Sequence, residues 1–161
     1  MLISHDELKR LLHYDPETGV WTRLISRRGD KVGTRADYLH SVYGYYRVRI
    51  KEQSYFAHRL AWFYMTGEWP PADTEHRDRV RANNKWENLR LAARWQNIHN
   101  KKGRKNKCKG VSYIKKLGRY RAQICVQGRK HSLGYAETEE AAYELYKTAA
   151  QKLVGEFICV E

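Results

Sequence analysis

Cysteine and proline are scarce in this 161-residue chain, with three of each. Cys108, Cys125 and Cys159 are odd in number and include no C-x-x-C pair, which argues against a disulfide framework or a structural zinc site and for a reducing compartment. Long apolar runs are missing too. No stretch approaches the roughly 18 apolar residues that span a bilayer. The opening "MLISHDELKRLLHYDPETG" carries acids where a signal peptide would be apolar, so the expected location is the cytoplasm, with no membrane partner. The third shortage is of acid: 18 Asp and Glu stand against 31 Lys and Arg, a net charge of +13. A polyanion is then the default partner, which in general means nucleic acid or an acidic membrane surface. The length allows one ordinary domain or two small ones, so any active site must be compact.

The acid deficit is local. Residues 1–99 hold 17 basic and 12 acidic side chains, residues 100–134 hold 12 basic and none acidic, and residues 135–161 hold 2 basic and 6 acidic. The polar, apolar-poor stretch "NKKGRKNKCKG" at 100–110 reads as a linker suited to a phosphate backbone. It divides the chain into an amino-terminal module over 1–102, a basic linker over 103–107 and a carboxy-terminal module over 108–161.

In the first module, Ser4 and Glu7 form a capping box that opens a short helix through about His13, with Leu8, Leu11 and Leu12 on one face. "YDPETG" supplies turn chemistry before a strand at "VWTR". In "GYYRVRI", Tyr46, Val48 and Ile50 alternate with Tyr45, Arg47 and Arg49, so one face can pack while the other offers cations. "YFAHRLAWFYMTG" predicts the core helix of the module, stopped by Gly67 and by Pro70 and Pro71. In the second module, "GVSYIKKLGRYRAQICVQGRKHSLG" has the turn spacing of a three-stranded meander. "TEEAAYELYKTAAQKLVG" predicts a helix capped by Thr138, with Ala141, Ala142, Leu145, Ala149 and Leu153 as the stripe that lies on the sheet. The expected fold class is α+β.

The central strand of the meander alternates Tyr120, Ala122 and Ile124 with Arg119, Arg121, Gln123 and Cys125. The apolar set is expected to meet the helix, leaving an open basic face to which Tyr113, Arg129 and Lys130 also belong. Segregating cations this way costs self-repulsion, which a merely soluble domain need not accept. The motifs "GVSY", "RYRAQI", "HSLG" and "TEEAAYELYKTAA" resemble the Apetala-two (ethylene-response-factor) DNA-binding domain over about residues 108–158. That resemblance implies a three-stranded antiparallel sheet in the major groove, with a helix behind it. Its DNA contacts fall on Lys109, Ser112, Gln123, Cys125, Lys130 and Ser132. Ser132 and Cys125 replace a large aromatic and an arginine of the plant domains, so no plant target sequence carries over.

The stretch "TEHRDRVRANNKWENLRLAARWQNIHN" at 74–100 combines two His, five Asn and six Arg or Lys. Phosphodiester hydrolysis needs a base for water and positive charge at the departing oxygen. Mg²⁺ keeps several waters, so one or two protein oxygens suffice to hold it. Glu75 and His76 supply a carboxylate and an imidazole, although neighbours on a strand point to opposite faces. Asn83, Asn84 and Asn88 lie in a loop where Asn commonly satisfies stranded backbone groups.

The acid-His pair, Asn88 twelve residues after the His and Asn97 nine further on, around "NNKWENLRLA", resemble the HNH nuclease family in its HNN form. That form occurs in phage and intron homing endonucleases. "AHRLAWFYMTGEWP" and "YDPETGVWTR" look like that family's leader regions, so the resemblance covers about residues 8–102. It implies a ββα-metal nuclease module in which His76 is the general base and Asn88 ties the loop and orients His76. Glu75 with Asn97 would hold one Mg²⁺ (or Mn²⁺) per active site. The family usually has Asp at the Glu75 position. Asp73 and Asp78 are alternative carboxylates, and His99 is a rival to Asn97. His58 and Arg59 match the family's "HRL" signature, as helix packing and a phosphate clamp or as catalytic groups. The implied protein is a site-specific homing DNA endonuclease, phage-encoded and working in a bacterial host cytoplasm. It would act on double-stranded DNA as a monomer or weak dimer, leaving a nick or a double-strand break with 5′-phosphate and 3′-hydroxyl ends. A catalytically weakened HNH-fold DNA-binding regulator and an RNA-binding protein are the alternatives.

Overall fold

The computed structural model describes residues 3–26, 29–100 and 108–157. The linker placed at 103–107, and Cys159, lie outside the described residues. The chain divides into two compact units, 1–92 and 93–161.

The first unit opens with α1 (His5–Leu11), capped where the Ser4 hydroxyl accepts from the Glu7 N–H at 3.2 Å. The helix ends two residues before the expected His13, because Leu12–Tyr14 form β1 against β2 (Trp21–Arg23), with Leu12 opposite Arg23 and Tyr14 opposite Trp21. Leu12 and Tyr14 are buried and His13 is exposed, the two-residue alternation of a half-buried strand. A three-stranded antiparallel sheet follows in the order β3 (Asp37–Leu39), β4 (Tyr46–Ile50), β5 (Gln53–Phe56). As its alternation predicts, β4 buries Val48 and Ile50 and exposes Arg49. Tyr55 and Phe56, read from sequence as helical, belong to β5, and the core helix α2 starts at Ala57 and runs to Thr66. Gly67 ends α2 in the left-handed conformation at φ +79°, donating its N–H to the Phe63 carbonyl at 2.9 Å, the conformation for which glycine is preferred at a helix C-terminus. The last elements are β6 (Asp73–His76), a 3₁₀ turn at Trp86–Asn88 and β7 (Leu89–Ala92). Leu8, Leu12, Tyr14, Trp21, Val48, Leu60, Ala61 and Leu89 share one core.

The second unit begins with α3 (Arg94–Asn100), whose Trp95 packs on the core formed by Ile124, Tyr146, Ala150 and Val154. Sequence grouped this helix with the first module, but its packing groups it with the second. β8 (Val111–Ile114), β9 (Arg119–Val126) and β10 (Arg129–Ala136) form an antiparallel sheet with β9 central. Gln127 and Gly128 turn β9 into β10 with φ of +51° and +79°, as a tight two-residue hairpin requires. α4 (Glu139–Val154) is capped by the Thr138 hydroxyl, which accepts from the Ala141 N–H at 3.2 Å. Its buried stripe is Ala142, Tyr146, Ala150 and Val154, not the expected Ala141, Leu145, Ala149 and Leu153 with Ala142. The face is rotated by one position because Tyr146 is the large side chain that reaches the sheet, its ring edge filling the space that a Gly110 β-carbon would need.

Leu60 is wholly buried in the core of the first unit. Leu60→Ala is expected to cost about 2–5 kcal/mol, measured as a shift in the urea midpoint at unchanged slope.

Candidate active site

The β6–β7 hairpin pairs Asp73 with Ala92, Thr74 with Leu91, Glu75 with Arg90 and His76 with Leu89. Residues opposite each other across an antiparallel pair share a face, and successive residues alternate. Glu75 and Arg90 therefore lie on one face, where the Arg90 Nε donates to Glu75 Oε1 at 2.6 Å with both side chains buried. His76 belongs to the other face.

That second face carries a cluster of rings. The His58 imidazole meets His76 edge-on, with centroids 5.0 Å apart, and Tyr45 lies 5.3 Å from His58 and 6.0 Å from His76. Phe56 sits 5.6 Å from His58, and the Arg47 guanidinium covers Phe56 at 4.7 Å. The Arg81 guanidinium lies over Tyr45 at 5.1 Å and donates to the Tyr43 carbonyl at 3.0 Å. Burial, helped by the neighbouring His76 and Arg59 charges, pushes His58 down to about 3. Burial also lowers His76, as does Arg81. Its hydrogen bond to Asn84 and the Asp78 and Glu75 charges oppose that shift without cancelling it. Both imidazoles are therefore neutral at pH 7, the state a general base requires.

The His76 Nε2 lies 3.1 Å from Asn84 Oδ1. This contact ties one nitrogen of the imidazole to the loop. Asn84, read from sequence as a turn residue, is buried at this contact. Asn88 ties the loop: its Oδ1 accepts from the Asp78 N–H at 3.0 Å, and its Nδ2 donates to Asp78 Oδ1 at 2.9 Å and to the Asn83 carbonyl at 2.8 Å. Asp78 also accepts from Asn83 Nδ2 at 2.6 Å and from the Val80 N–H at 2.8 Å. Partial burial raises the Asp78 carboxyl, but these hydrogen bonds and the His76 charge outweigh it and hold the group below the ordinary carboxylate range.

Other sequence-selected residues fall elsewhere. The Arg59 guanidinium donates to the Ala72 and Pro70 carbonyls at 3.3 and 3.5 Å, holding the segment that leads into β6. Arg47 donates to the Ser54 carbonyl at 3.0 Å, while Arg49 is exposed beside Glu52. Asn97 and His99 stand on α3 in the second unit. The His99 Nε2 donates to the Cys125 carbonyl at 2.8 Å, and its own carbonyl accepts from Lys109 Nζ at 2.6 Å.

On the sheet of the second unit, Ser112 pairs with Arg121, Ser132 with Gln123 and Lys130 with Cys125. With Arg119 these residues share the face opposite Ala122 and Ile124, which are buried. Two expected members belong to the other face. Tyr113 pairs with Tyr120, with ring centroids 4.9 Å apart, and Arg129 pairs with Val126. Register decides this, because a side chain follows the face of its cross-strand partner.

Among the described residues no three His, Cys, Asp or Glu side chains gather as a metal cage. A Mg²⁺ site does not need one, since one or two protein oxygens suffice. The Glu75 carboxylate on β6 of the first unit and the Asn97 amide oxygen on α3 of the second are each hard donors of the right kind. The donor chemistry fits a divalent ion, with Arg90 as a competing partner for Glu75. Sequence missed Asn84, Arg81, Tyr45 and Arg90. Only Arg90 left a signal, as the basic residue that a hairpin register puts opposite Glu75.

Residues 55–98 match the HNH endonuclease family model, a span that holds α2, both strands of the hairpin and Asn97 but not His99. The chain is 39% identical over 89 residues to an uncharacterized HNH endonuclease, L560, of Acanthamoeba polyphaga mimivirus. The aligned region is 54% of this chain and 46% of that protein, so the chain spans about half the length of the curated relative it matches. No solved structure matches the chain.

The site makes two predictions about stability. Arg90→Met removes the cation paired with the buried Glu75 carboxylate and is expected to cost about 3–5 kcal/mol. The double variant with Glu75→Gln should recover most of that loss in a denaturation cycle. His58 is protonated in the unfolded chain below pH 6.5 but stays neutral in the folded one down to about 3. Folding stability should therefore fall with pH across that window, by up to about 1.4 kcal/mol per pH unit from this group. His58→Phe should flatten the dependence in urea titrations at pH 7 and pH 5.

Proposed function

We propose that this protein is a Mg²⁺-dependent, site-specific DNA endonuclease of the homing type, phage-encoded and acting in the host cytoplasm. The single observation that carries the reading is the neutral, hydrogen-bonded imidazole of His76, within the span similar to HNH endonucleases. In this reading the His76 imidazole takes a proton from the water that attacks phosphorus. The phosphodiester bond to the 3′ oxygen breaks, and that oxygen is protonated from solvent. Products are a 5′-phosphate and a 3′-hydroxyl. Arg81 and Arg47 bring positive charge to the ring cluster, where a phosphate would dock. Glu75 and Asn97 would hold Mg²⁺ or Mn²⁺, which supplies charge neutralisation at the scissile phosphate. Asn88 keeps the loop in place through Asp78 and Asn83.

The second unit is assigned the choice of site, as an Apetala-two-like module. Arg119, Arg121, Gln123, Lys130, Ser112 and Ser132 present cations and hydrogen-bonding groups on one sheet face, the equipment for reading phosphates and base edges. With one nuclease site per chain, a monomer nicks and two chains together make a double-strand break. One observation favours a second reading, a DNA-binding regulator with a weakened site: the Glu75 carboxylate is already neutralised by Arg90.

Plasmid cleavage with Mg²⁺ and then with EDTA separates the two. Wild type is expected to cut with Mg²⁺, to stop with EDTA, and to lose at least about 100-fold activity as His76→Ala. DNA binding without cleavage under any divalent ion would establish the regulator, and preference for RNA over DNA would sink both readings. Deleting residues 108–161 should abolish site choice more than cleavage, as mapped on target-bearing plasmids.

A further inference from the structure

Turns are ordinarily built from Gly, Asn, Asp, Ser and Pro, yet the turn that joins β3 to β4, "HSVYGY" at 40–45, puts Val42 and Tyr43 at its middle. Val42 is 76% exposed, Tyr43 56%, and Leu39 at the end of β3 52%. A lone exposed apolar side chain is ordinary, but three within five residues, two of them adjacent at a turn, form a patch that marks a binding surface. The turn is also firmly held. The His40 N–H donates to the Tyr45 carbonyl and the Gly44 N–H to the His40 carbonyl, both at 2.9 Å. The His40 and Tyr43 rings stack with centroids 5.1 Å apart, and the Arg81 Nη1 donates to the Tyr43 carbonyl at 3.0 Å. A partner therefore meets the apolar pair without first having to order it.

Place and charge identify that partner. Tyr45, two residues after Tyr43, puts its ring 6.0 Å from His76. Two residues span at most about 7 Å, roughly two base-pair rises of DNA. The Arg81 guanidinium covers the Tyr45 ring at 5.1 Å, and Arg47, opposite Tyr38 in register, has its Nε buried without an acceptor among the described residues. Cations this close to the turn suit phosphates, and the Val42–Tyr43 tip suits the apolar faces of stacked bases. A second copy of the chain is a poorer fit. β3 is an edge strand, but at three residues it is short, and edge pairing would engage its backbone rather than the turn.

We propose that the β3–β4 turn is a wedge for duplex DNA. Val42 and Tyr43 enter the stack between adjacent base pairs beside the phosphate at His76 and bend the duplex, while Arg81 and Arg47 take flanking phosphates. Apolar side chains part base steps in this way in proteins that kink DNA. Parting a step stretches the backbone next to it and opens that phosphate to an in-line water. The placement of the phosphate rests on the nuclease reading, while the deformation of the duplex does not.

The test uses the full chain with EDTA, so that the DNA stays uncut. Stacking reads no base edge, so any covalently closed plasmid serves as the probe. It is relaxed by a metal-independent topoisomerase with the protein at saturation, checked by mobility shift, and the topoisomers are resolved on a gel. Wild type is expected to lower the linking number in proportion to the protein bound. Val42→Ser with Tyr43→Ser should abolish that shift, and Val42→Ile with Tyr43→Phe should keep it. Both side chains are mostly exposed, so the variants keep the fold. In Mg²⁺ the serine pair should lower kcat for plasmid cleavage about 10- to 100-fold. A wild type that saturates the plasmid without changing its linking number would overturn the wedge, as would an unchanged shift in the serine pair. A wild-type dimer that the serine pair dissociates in sedimentation would assign the tip to a second copy and overturn it equally. Unwinding that the serine pair abolishes, in a wild type that cuts nothing under any divalent ion, would refute the nuclease reading and leave the wedge standing.

Discussion

A buried ion pair sets the geometry of the first unit. Glu75 and Arg90 face each other across two antiparallel strands, with Arg90 Nε and Glu75 Oε1 2.6 Å apart and little solvent at either. Such a pair returns little net stability over apolar neighbours, because both ions are stripped of water. It is nevertheless strongly selective, since leaving either charge buried alone is costly. A one-residue slip of the hairpin would separate them and reverse every side chain. With the register held, His76 takes the opposite face among His58, Tyr45 and Asn84, and Asn88 returns at the foot of β7 to tie the loop.

Burial then does for His76 and His58 what the basic composition alone would also favour. Desolvation disfavours the imidazolium, and nearby Arg59 and Arg81 act in the same direction. The result is a pair of neutral rings in a chain of net charge +13. The nuclease reading depends on that state. The same chain separates its charge by face in the second unit, where Arg119, Arg121 and Lys130 stand opposite the buried Ala122 and Ile124. A polyanion brought to that face would relieve the repulsion that the segregation creates.

Much of the fold was legible because local rules agree with the tertiary outcome. Thr138 caps α4, Gly67 ends α2, and the alternation in β4 and β9 buries the expected faces. The misses share a cause. Leu12–Tyr14 carry a helix-compatible pattern but gain a strand partner nine residues downstream in Trp21–Arg23, a partner that periodicity does not reveal. Tyr113 and Arg129 were grouped with the basic face by composition, whereas cross-strand register puts them on the other. On α4, two adjacent stripes were both apolar enough, and the size of Tyr146 chose between them.

The sequence by itself determined the candidates from which the site was read: the acid-His pair, the spacing to Asn88 and Asn97, and the concentration of cations after residue 100. Only the tertiary structure decided what those residues do for one another. Glu75 meets Arg90 because hairpin register makes them neighbours. Asn84 stops being a turn residue because Tyr14, seventy positions earlier, holds its carbonyl. Hydrogen bonds and desolvation act through space over a few ångströms, and residues far apart in the chain become close only when it folds.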